Sequence, residues 1–286
     1  MKIALLGANG QLGFAFQSFF QELNDSSYEL FSLSKSNLDL TDKNTVDKVM
    51  EKMKPDLVIN AAAFTDVDVA ESADSKNIDV NYEAVVNLGM SLSKKPAWII
   101  HFSTDYVFSS NKLKYFKTDD ETCPINRYGS SKSNGEKALR ELVPESSTII
   151  RTAWLYGNSK KNFVNKIVEK AKLNQQIEVV DDQFGQPTWT KDLVAATFSI
   201  MENNIRSGIY HVTGLGVASR YQLACQIYEF MNADVSNINP IKTQQNGLNA
   251  PRPKYSCLDL SYWFTRDLWK PIDWKISLAE YLKLIT

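Results

Sequence analysis

The stretch GANGQLG (Gly7–Gly13) directly follows the apolar run KIALL and constrains the fold more than any other feature of the chain. Gly7 permits a tight turn, Gly10 lets backbone approach a pyrophosphate, and Gly13 allows a helix to pack closely on a strand. A helix starting at this loop aims its free N-terminal amides and the positive end of its dipole at an anion. Three glycines are weak evidence by themselves. Their setting between a strand and a helix gives them weight, with Asn9, Gln11 and Leu12 completing a candidate phosphate loop.

The rest of the first half repeats that pattern. Strand-like runs fall at Lys2–Leu6, Tyr28–Leu33, Leu57–Asn60, Trp98–Phe102 and Ser147–Arg151, separated by helical stretches at Gln11–Leu23, Lys43–Met53, Val80–Lys94 and Ser130–Leu142. Regular β-then-α alternation predicts an α/β fold, a Rossmann-like doubly wound parallel sheet with helices on both faces. Thr41 and Asp42 are suited to cap the helix that follows them.

After Arg151 the pattern loosens. Helices are expected at Phe163–Leu173, Asp192–Met201 and Tyr221–Met231, the last with a Ser219/Gln222 capping box, and strands at Ile177–Val180 and Ile209–Val212. Gln183–Thr188 and Asn232–Pro253 read as loops. The expected division is a nucleotide-binding domain of residues 1–151 plus about 188–217. A smaller, irregular C-terminal substrate-binding lobe would hold about 152–187 plus 218–286.

Composition excludes several function classes. A net charge of −1 and a pI near 6.2 leave no basic stripe for nucleic acid. No apolar run approaches the roughly 18 residues of a membrane span, and the N-terminus does not read as a signal peptide. Cys123, Cys225 and Cys257 form no CxxC pair, so neither a disulfide framework nor a zinc site is indicated, and a cytoplasmic setting fits best. The two histidines, His101 and His211, sit in strand-like apolar runs and read as packed imidazoles, which argues against a Ser-His-Asp hydrolase or a His-rich metal centre.

The second strand ends in Leu33, Ser34 and Lys35, without the carboxylate that would take the ribose hydroxyls of NAD. Ser34 and Lys35 suit a 2′-phosphate, so NADPH is favoured and NADH is left open. Asp39 and Leu40 either lie against the adenine or simply close a strand and cap a helix.

With 12 tyrosines and 25 lysines in 286 residues, a YxxxK spacing arises about once by chance, and the chain holds two. Tyr156/Lys160 lies in the turn-rich GNS stretch, whereas Tyr128/Lys132 opens a helical segment and shares one helix face. An ammonium about 4 Å from a phenol, at an effective dielectric near 20, would favour phenolate by roughly 4 kcal/mol. That lowering would bring a tyrosine toward the pH where a general acid works best. Ser103-Thr104-Asp105 ends the fourth strand, where ligands of open α/β sheets bind. Thr104 is the expected orienting hydroxyl for a substrate carbonyl.

GANGQLG, NAAAFTDVDVAES (Asn60–Ser72), HFSTDYVF (His101–Phe108), YGSSKSNGEKAL (Tyr128–Leu139), RTAWLYG (Arg151–Gly157), DDQFGQPT (Asp181–Thr188) and Arg252-Pro253 occur in this order. Together they resemble the dTDP-4-dehydrorhamnose reductases of the extended short-chain dehydrogenase/reductase superfamily, over nearly the whole chain. Residues 232–250 match least. The resemblance implies NADPH-dependent reduction of a 4-keto sugar nucleotide. Tyr128 would donate the proton, Lys132 would tune it, and Thr104 would position the keto oxygen. It places Ala61, Ala62, Ala63 and Thr65 along the cofactor. Asp105, Tyr106 and Trp154 fall near the sugar, and Gln186 and Arg252 near the nucleotide or diphosphate, with Trp154 alternatively a packing indole. Some relatives dimerise through a glutamate-bridged metal. Here the corresponding positions are Ala15 and Thr190, so a monomer or metal-free homodimer is expected. Two alternatives stay open: another nucleotide-sugar 4-ketoreductase, and a non-enzymatic NADP-binding subunit similar to the regulatory subunit of methionine adenosyltransferase.

Overall fold

A computed structural model describes residues 1–159, 162–245, 247 and 249–286. Six parallel strands form the central sheet: β1 (Lys2–Leu6), β2 (Glu29–Leu33), β3 (Leu57–Asn60), β4 (Trp98–Thr104), β5 (Ser147–Thr152) and β6 (Gly208–His211). Their spatial order is β2-β1-β3-β4-β5-β6, so the winding reverses beside β1. A crevice opens at such a reversal, above the carboxyl ends of the strands. The loops after β1, β3, β4 and β5 all reach it.

Strands buried on both faces explain the continuous apolar runs in the sequence. On one face Ile3, Leu5, Leu57, Ile59, Trp98 and Ile100 pack against α1 (Gln11–Leu23) through Leu12 and Phe16. The same layer takes Leu193 and Ile200 of Thr190–Glu202, together with Trp263. The alternate residues Ala4, Leu6, Val58 and Ile99 face α2 (Lys43–Met53) and α3 (Ala84–Leu92), with Leu139 of α4 (Arg127–Leu142) closing the layer. The period of two along each strand divides the cores cleanly. A further apolar cluster gathers Tyr156, Val164, Ile167, Trp189, Leu223, Ile227, Trp274 and Leu278.

Most expected elements form. Asp42 caps α2, accepting from the amides of Asn44 and Thr45, whereas Thr41 spends its hydroxyl on Asp39. The stretch expected at Val80–Lys94 begins instead as a π-turn, Asp79–Glu83, before α3. The capping box of Ser219 and Gln222 closes both ways.

Two loop expectations are corrected. Phe184–Gly185 pairs with Ala218–Ser219, and Thr188–Trp189 pairs with Leu155–Tyr156. Within 232–253, Ile238–Ile241 forms a parallel strand beside Ile177–Val180. These pairings rest on tertiary contact, which local composition does not reveal. A C-terminal helix, Trp274–Ile285, was also not anticipated. No helix among the described residues is long and apolar enough to cross a membrane.

Candidate active site

A cavity of about 750 Å³ lies over the carboxyl ends of the strands. Its floor at one end is the glycine loop. Gly7 adopts a φ of +75°, and a Cβ there would sit 2.6 Å from the Ala62 nitrogen. At Gly13 a Cβ would meet the Gly7 carbonyl oxygen at 2.3 Å, so α1 rests directly on the turn. The Gly10 amide donates to the Gly7 carbonyl at 2.9 Å. α1 starts at Gly10 with no side-chain cap and no acidic residue in its first turn, so its leading amides face the cavity unneutralised. Asn9, Gly10, Gln11 and Leu12 line this end, and Ala61, Ala63 and Thr65 line the cavity from the segment that packs against the Gly7 turn.

At the other end stand Thr104, Asp105, Tyr106, Tyr128 and Lys132. Asn126 fixes the start of α4, accepting from the Gly129 amide at 2.7 Å and donating to the Pro251 carbonyl at 2.9 Å. One turn of helix then sets Tyr128 and Lys132 on the same face. Thr104 donates to Asp105 Oδ1 at 3.1 Å and accepts from the Tyr106 amide at 3.2 Å. Asp105 is buried and also accepts from Ser256 Oγ at 2.5 Å. Burial pushes its pKa up to about 6, against the pull of the Ser256 and Thr104 hydrogen bonds and the Arg220 charge. The Tyr106 and Tyr128 rings meet edge to face at 5.9 Å.

The electrostatics differ from the expected simple activation of Tyr128. Burial raises the Tyr128 pKa above the ordinary phenol value; a hydrogen bond from Thr104 opposes this, and Asp105 and Tyr106 add to the rise. Desolvation is the largest influence on the phenol, and Lys132 is not among the groups that act on it. Lys132 is itself pushed down to about 8 by burial, with Glu136 working the other way. Its amine lies 3.3 Å from Nε2 of His101. The couple is thus a phenol that keeps its proton and a lysine poised to exchange one.

Trp154 holds a φ of +46°, a strained conformation for so large a residue. A Cβ on Gly185 would lie 2.4 Å from the indole, so the glycine of the DQFG stretch makes room for that ring. The Arg220 guanidinium stacks over the indole at 3.5 Å and near Phe163 at 5.1 Å. It makes no ion pair with a carboxylate among the described residues. Sequence reasoning missed Arg220, because one arginine opening an amphipathic helix carries no spacing signal. Asn162, also missed, ties its loop to the glycine loop by donating to Gln11 Oε1 at 2.8 Å, and it donates to the Gly157 carbonyl at 2.9 Å.

Several expected residues are not brought to the cavity wall. Gln186 is buried with its amide engaged by the Leu258 backbone, donating at 3.2 Å and accepting at 2.6 Å. Arg252 makes a bidentate ion pair with Asp68 at 2.7 and 2.6 Å. Ser34 bonds Ser36 and Asn37, and Lys35 sits 3.9 Å from Asp39, all at the exposed end of β2. Asp39 accepts from Thr41, and Leu40 is buried in the second-face core. Ala62 donates its amide to Asn60 Oδ1, and Gly7 and Gly13 lie beneath the loop. Tyr156 of the second pair lines the cavity with a buried hydroxyl, and Lys160 lies outside the described residues.

The donor set suits a dinucleotide. Bare helix amides meet a diphosphate, small alanines admit a flat ring, and the buried hydroxyls of Ser103 and Thr152 line the cavity without a partner among the described residues. Among those residues no group of three or more His, Cys, Asp and Glu side chains is arranged to hold a metal ion.

Comparisons with known proteins agree in class. The family described as RmlD substrate binding domain matches residues 1–286. The chain is 35% identical to a dTDP-4-dehydrorhamnose reductase of Aggregatibacter actinomycetemcomitans, over 98% of this chain and 97% of that one. It is 33% identical to a dTDP-4-keto-6-deoxy-D-glucose reductase of Streptomyces niveus, over 98% and 96%. A crystal structure of dTDP-4-dehydrorhamnose reductase from Bacillus anthracis, in complex with NADP, superimposes with a TM-score of 0.90 at 32% identity, covering 99% of each chain.

Proposed function

The chain belongs to the RmlD substrate binding domain family, and from that premise we propose that it is an NADPH-dependent reductase of the 4-keto group of a dTDP-4-dehydro-6-deoxy sugar, with dTDP-4-dehydro-L-rhamnose as the substrate. One observation carries this reading: Thr104, Tyr128 and Lys132 converge on one end of a cavity whose other end is an uncapped helix on a glycine loop. NADPH, when bound, supplies the hydride; the NADP complex of the Bacillus anthracis relative supports that cofactor.

The chain's own residues supply the proton. Tyr128 keeps its phenolic hydrogen at neutral pH because burial penalises the phenolate. It releases that proton only as negative charge grows on the substrate oxygen, the behaviour wanted of a general acid. Thr104 holds the keto oxygen toward the phenol. The amides of α1 would hold the cofactor diphosphate, and Ala61 and Ala63 its flat surfaces. Asp105, Tyr106 and Trp154 would border the sugar. Arg220 would meet the sugar diphosphate, the role expected from sequence for Gln186 and Arg252. The cluster around Leu223 and Trp274 would be the substrate lobe.

A second reading is favoured by the Streptomyces niveus relative: a related dTDP-4-keto-6-deoxy sugar as substrate. A purely regulatory role is disfavoured by the assembled Thr104, Tyr128 and Lys132. The test follows loss of NADPH absorbance on adding dTDP-4-dehydrorhamnose. Wild-type protein should consume the cofactor, and Tyr128→Phe should be at least about 100-fold slower. No turnover of any 4-keto-6-deoxy sugar nucleotide by wild type would overturn the reading.

A further inference from the structure

We propose that His101, held by Asn60, is a positioning residue for Lys132: it fixes the amine on the α4 face that also carries Tyr128 and favours its neutral, proton-donated form. The inference deepens the reductase reading and rests on the roles given there to Tyr128 and Lys132.

Register places the pair. Asn60 ends β3 directly opposite His101 on β4, and both project to the sheet face that α4 covers. The nearest inward positions, Val58, Ile99 and Ile149, are apolar and buried. Two polar side chains at its carboxyl end therefore need partners. Asn60 Oδ1 accepts from the Ala62 amide at 3.2 Å. That assignment turns Asn60 Nδ2 toward His101 Nδ1, at 3.0 Å. An amide NH₂ can only donate, so Nδ1 accepts and the ring hydrogen lies on Nε2. Nε2 in turn faces Lys132 Nζ at 3.3 Å.

This chain of contacts discriminates between the two forms of Lys132. A neutral amine accepts the Nε2 hydrogen. An ammonium would require the hydrogen to move to Nδ1, where Asn60 offers a donor rather than an acceptor. The other charged group that acts on Lys132 is Glu136 on its own helix, ion-paired at 2.7 Å with Arg151 of β5. That carboxylate favours the ammonium but is shared with the guanidinium, and His101 is the neighbour that contacts the amine directly.

In turnover, the Tyr128 O–H bond breaks as the substrate oxygen takes the proton. An N–H bond of the Lys132 ammonium then breaks to restore the phenol. The neutral amine left behind is caught by the Nε2–H of His101 and regains its proton from solvent water. His101 itself gains and loses no net proton. The same Asn60 holds the loop that carries Ala61 and Ala63, so one amide ties the cofactor wall to the proton-donating couple.

The chain has two histidines, which makes a direct readout available. In protein labelled with ¹⁵N-histidine, the ring shifts should report His101 as the Nε2–H tautomer at pH 9, where the Lys132 amine is neutral, with His211→Gln providing the assignment. An Nδ1–H tautomer would overturn the proposal, and this result is independent of whether the reductase assignment holds. Kinetically, Asn60→Asp should place an acceptor opposite Nδ1 and reverse the tautomer. The alkaline limb of the kcat profile should then move up by about one pH unit, with kcat reduced about tenfold and the Kd for NADPH within threefold. His101→Gln, whose amide oxygen accepts from the ammonium, should shift the limb the same way. An unmoved limb in both variants, each melting as wild type does, would sink the idea.

Discussion

Arg220 and Asp105 are the two charged side chains whose surroundings most constrain binding. Arg220 stacks on Trp154 and has no carboxylate ion-pair partner among the described residues, whereas Arg252 is satisfied by Asp68. A guanidinium so placed, bonded to the Tyr106 hydroxyl, has further donors for a ligand, and a charge-assisted hydrogen bond contributes about 1.5–3 kcal/mol. Arg220→Met should therefore raise the KM for the sugar nucleotide roughly 10- to 100-fold. It should leave kcat within a few-fold, and titration calorimetry with thymidine diphosphate should show the same loss. Asp105 makes a prediction of opposite sign for stability. Its native pKa of about 6 exceeds the unfolded value of 3.8, so its contribution is present below pH 3.8 and is lost as pH rises through 6. The buried charge then costs about 3 kcal/mol at pH 8. Asp105→Asn should melt several degrees higher than wild type at pH 8 and at the same temperature near pH 4, by scanning calorimetry. Equal melting at both pH values would place the carboxylate in water instead.

The first turn of α4 converts sequence into catalytic geometry at the level of elements. A Cβ on Gly129 would sit 2.1 Å from the Tyr106 carbonyl oxygen and 3.0 Å from Pro124 Cβ. Backbone cannot yield as a flexible side chain does, so Gly129→Ala must lift the turn that carries Tyr128. A displacement near 1 Å costs about 100-fold in rate. Stopped-flow or steady-state kcat should fall by that order, and wild-type kcat would show that the helix start is not seated on this loop. The glycine loop, the strands of the sheet and the helices between them were legible because each obeys a local rule: turn glycines, runs buried on both faces, and amphipathic spacing. Tyr128, Lys132 and Thr104 were legible as members of ordered motifs. What escaped was decided by partners distant in sequence. Phe184–Gly185 and Ile238–Ile241 become strands only through pairing, and Gln186 looks like a ligand-binding amide until the Leu258 backbone occupies it. His101 was correctly read as a buried sheet residue, yet its contact with Lys132 depends on the β3–β4 register and on where α4 crosses.

Across the whole molecule, polar groups are buried both at the crevice and among the apolar layers, and burial sets how stability responds to pH. His211, behind the cavity beside Arg151, is pushed down to about 3, first by desolvation and then by the guanidinium. His101 is held well below the ordinary imidazole range by burial and Lys132. Both native pKa values lie below the unfolded value of 6.5, so the unfolded chain binds protons first on acidification. Stability from these rings is whole above pH 6.5 and drains away as pH falls, opposite in sense to Asp105. The sum rises through the histidine range and levels off above about pH 6.5, with an acid limb dominated by histidine. A ring with a native pKa near 3 gives up about 3 kcal/mol between pH 7 and 4.5. His211→Gln removes that titration while keeping a polar group beside Asp259. Urea unfolding at the two pH values should therefore show the variant losing about 3 kcal/mol less than wild type across the interval. An equal loss in both proteins would mean that His211 already carries its proton in the folded state, and that Arg151 lies too far away to forbid it.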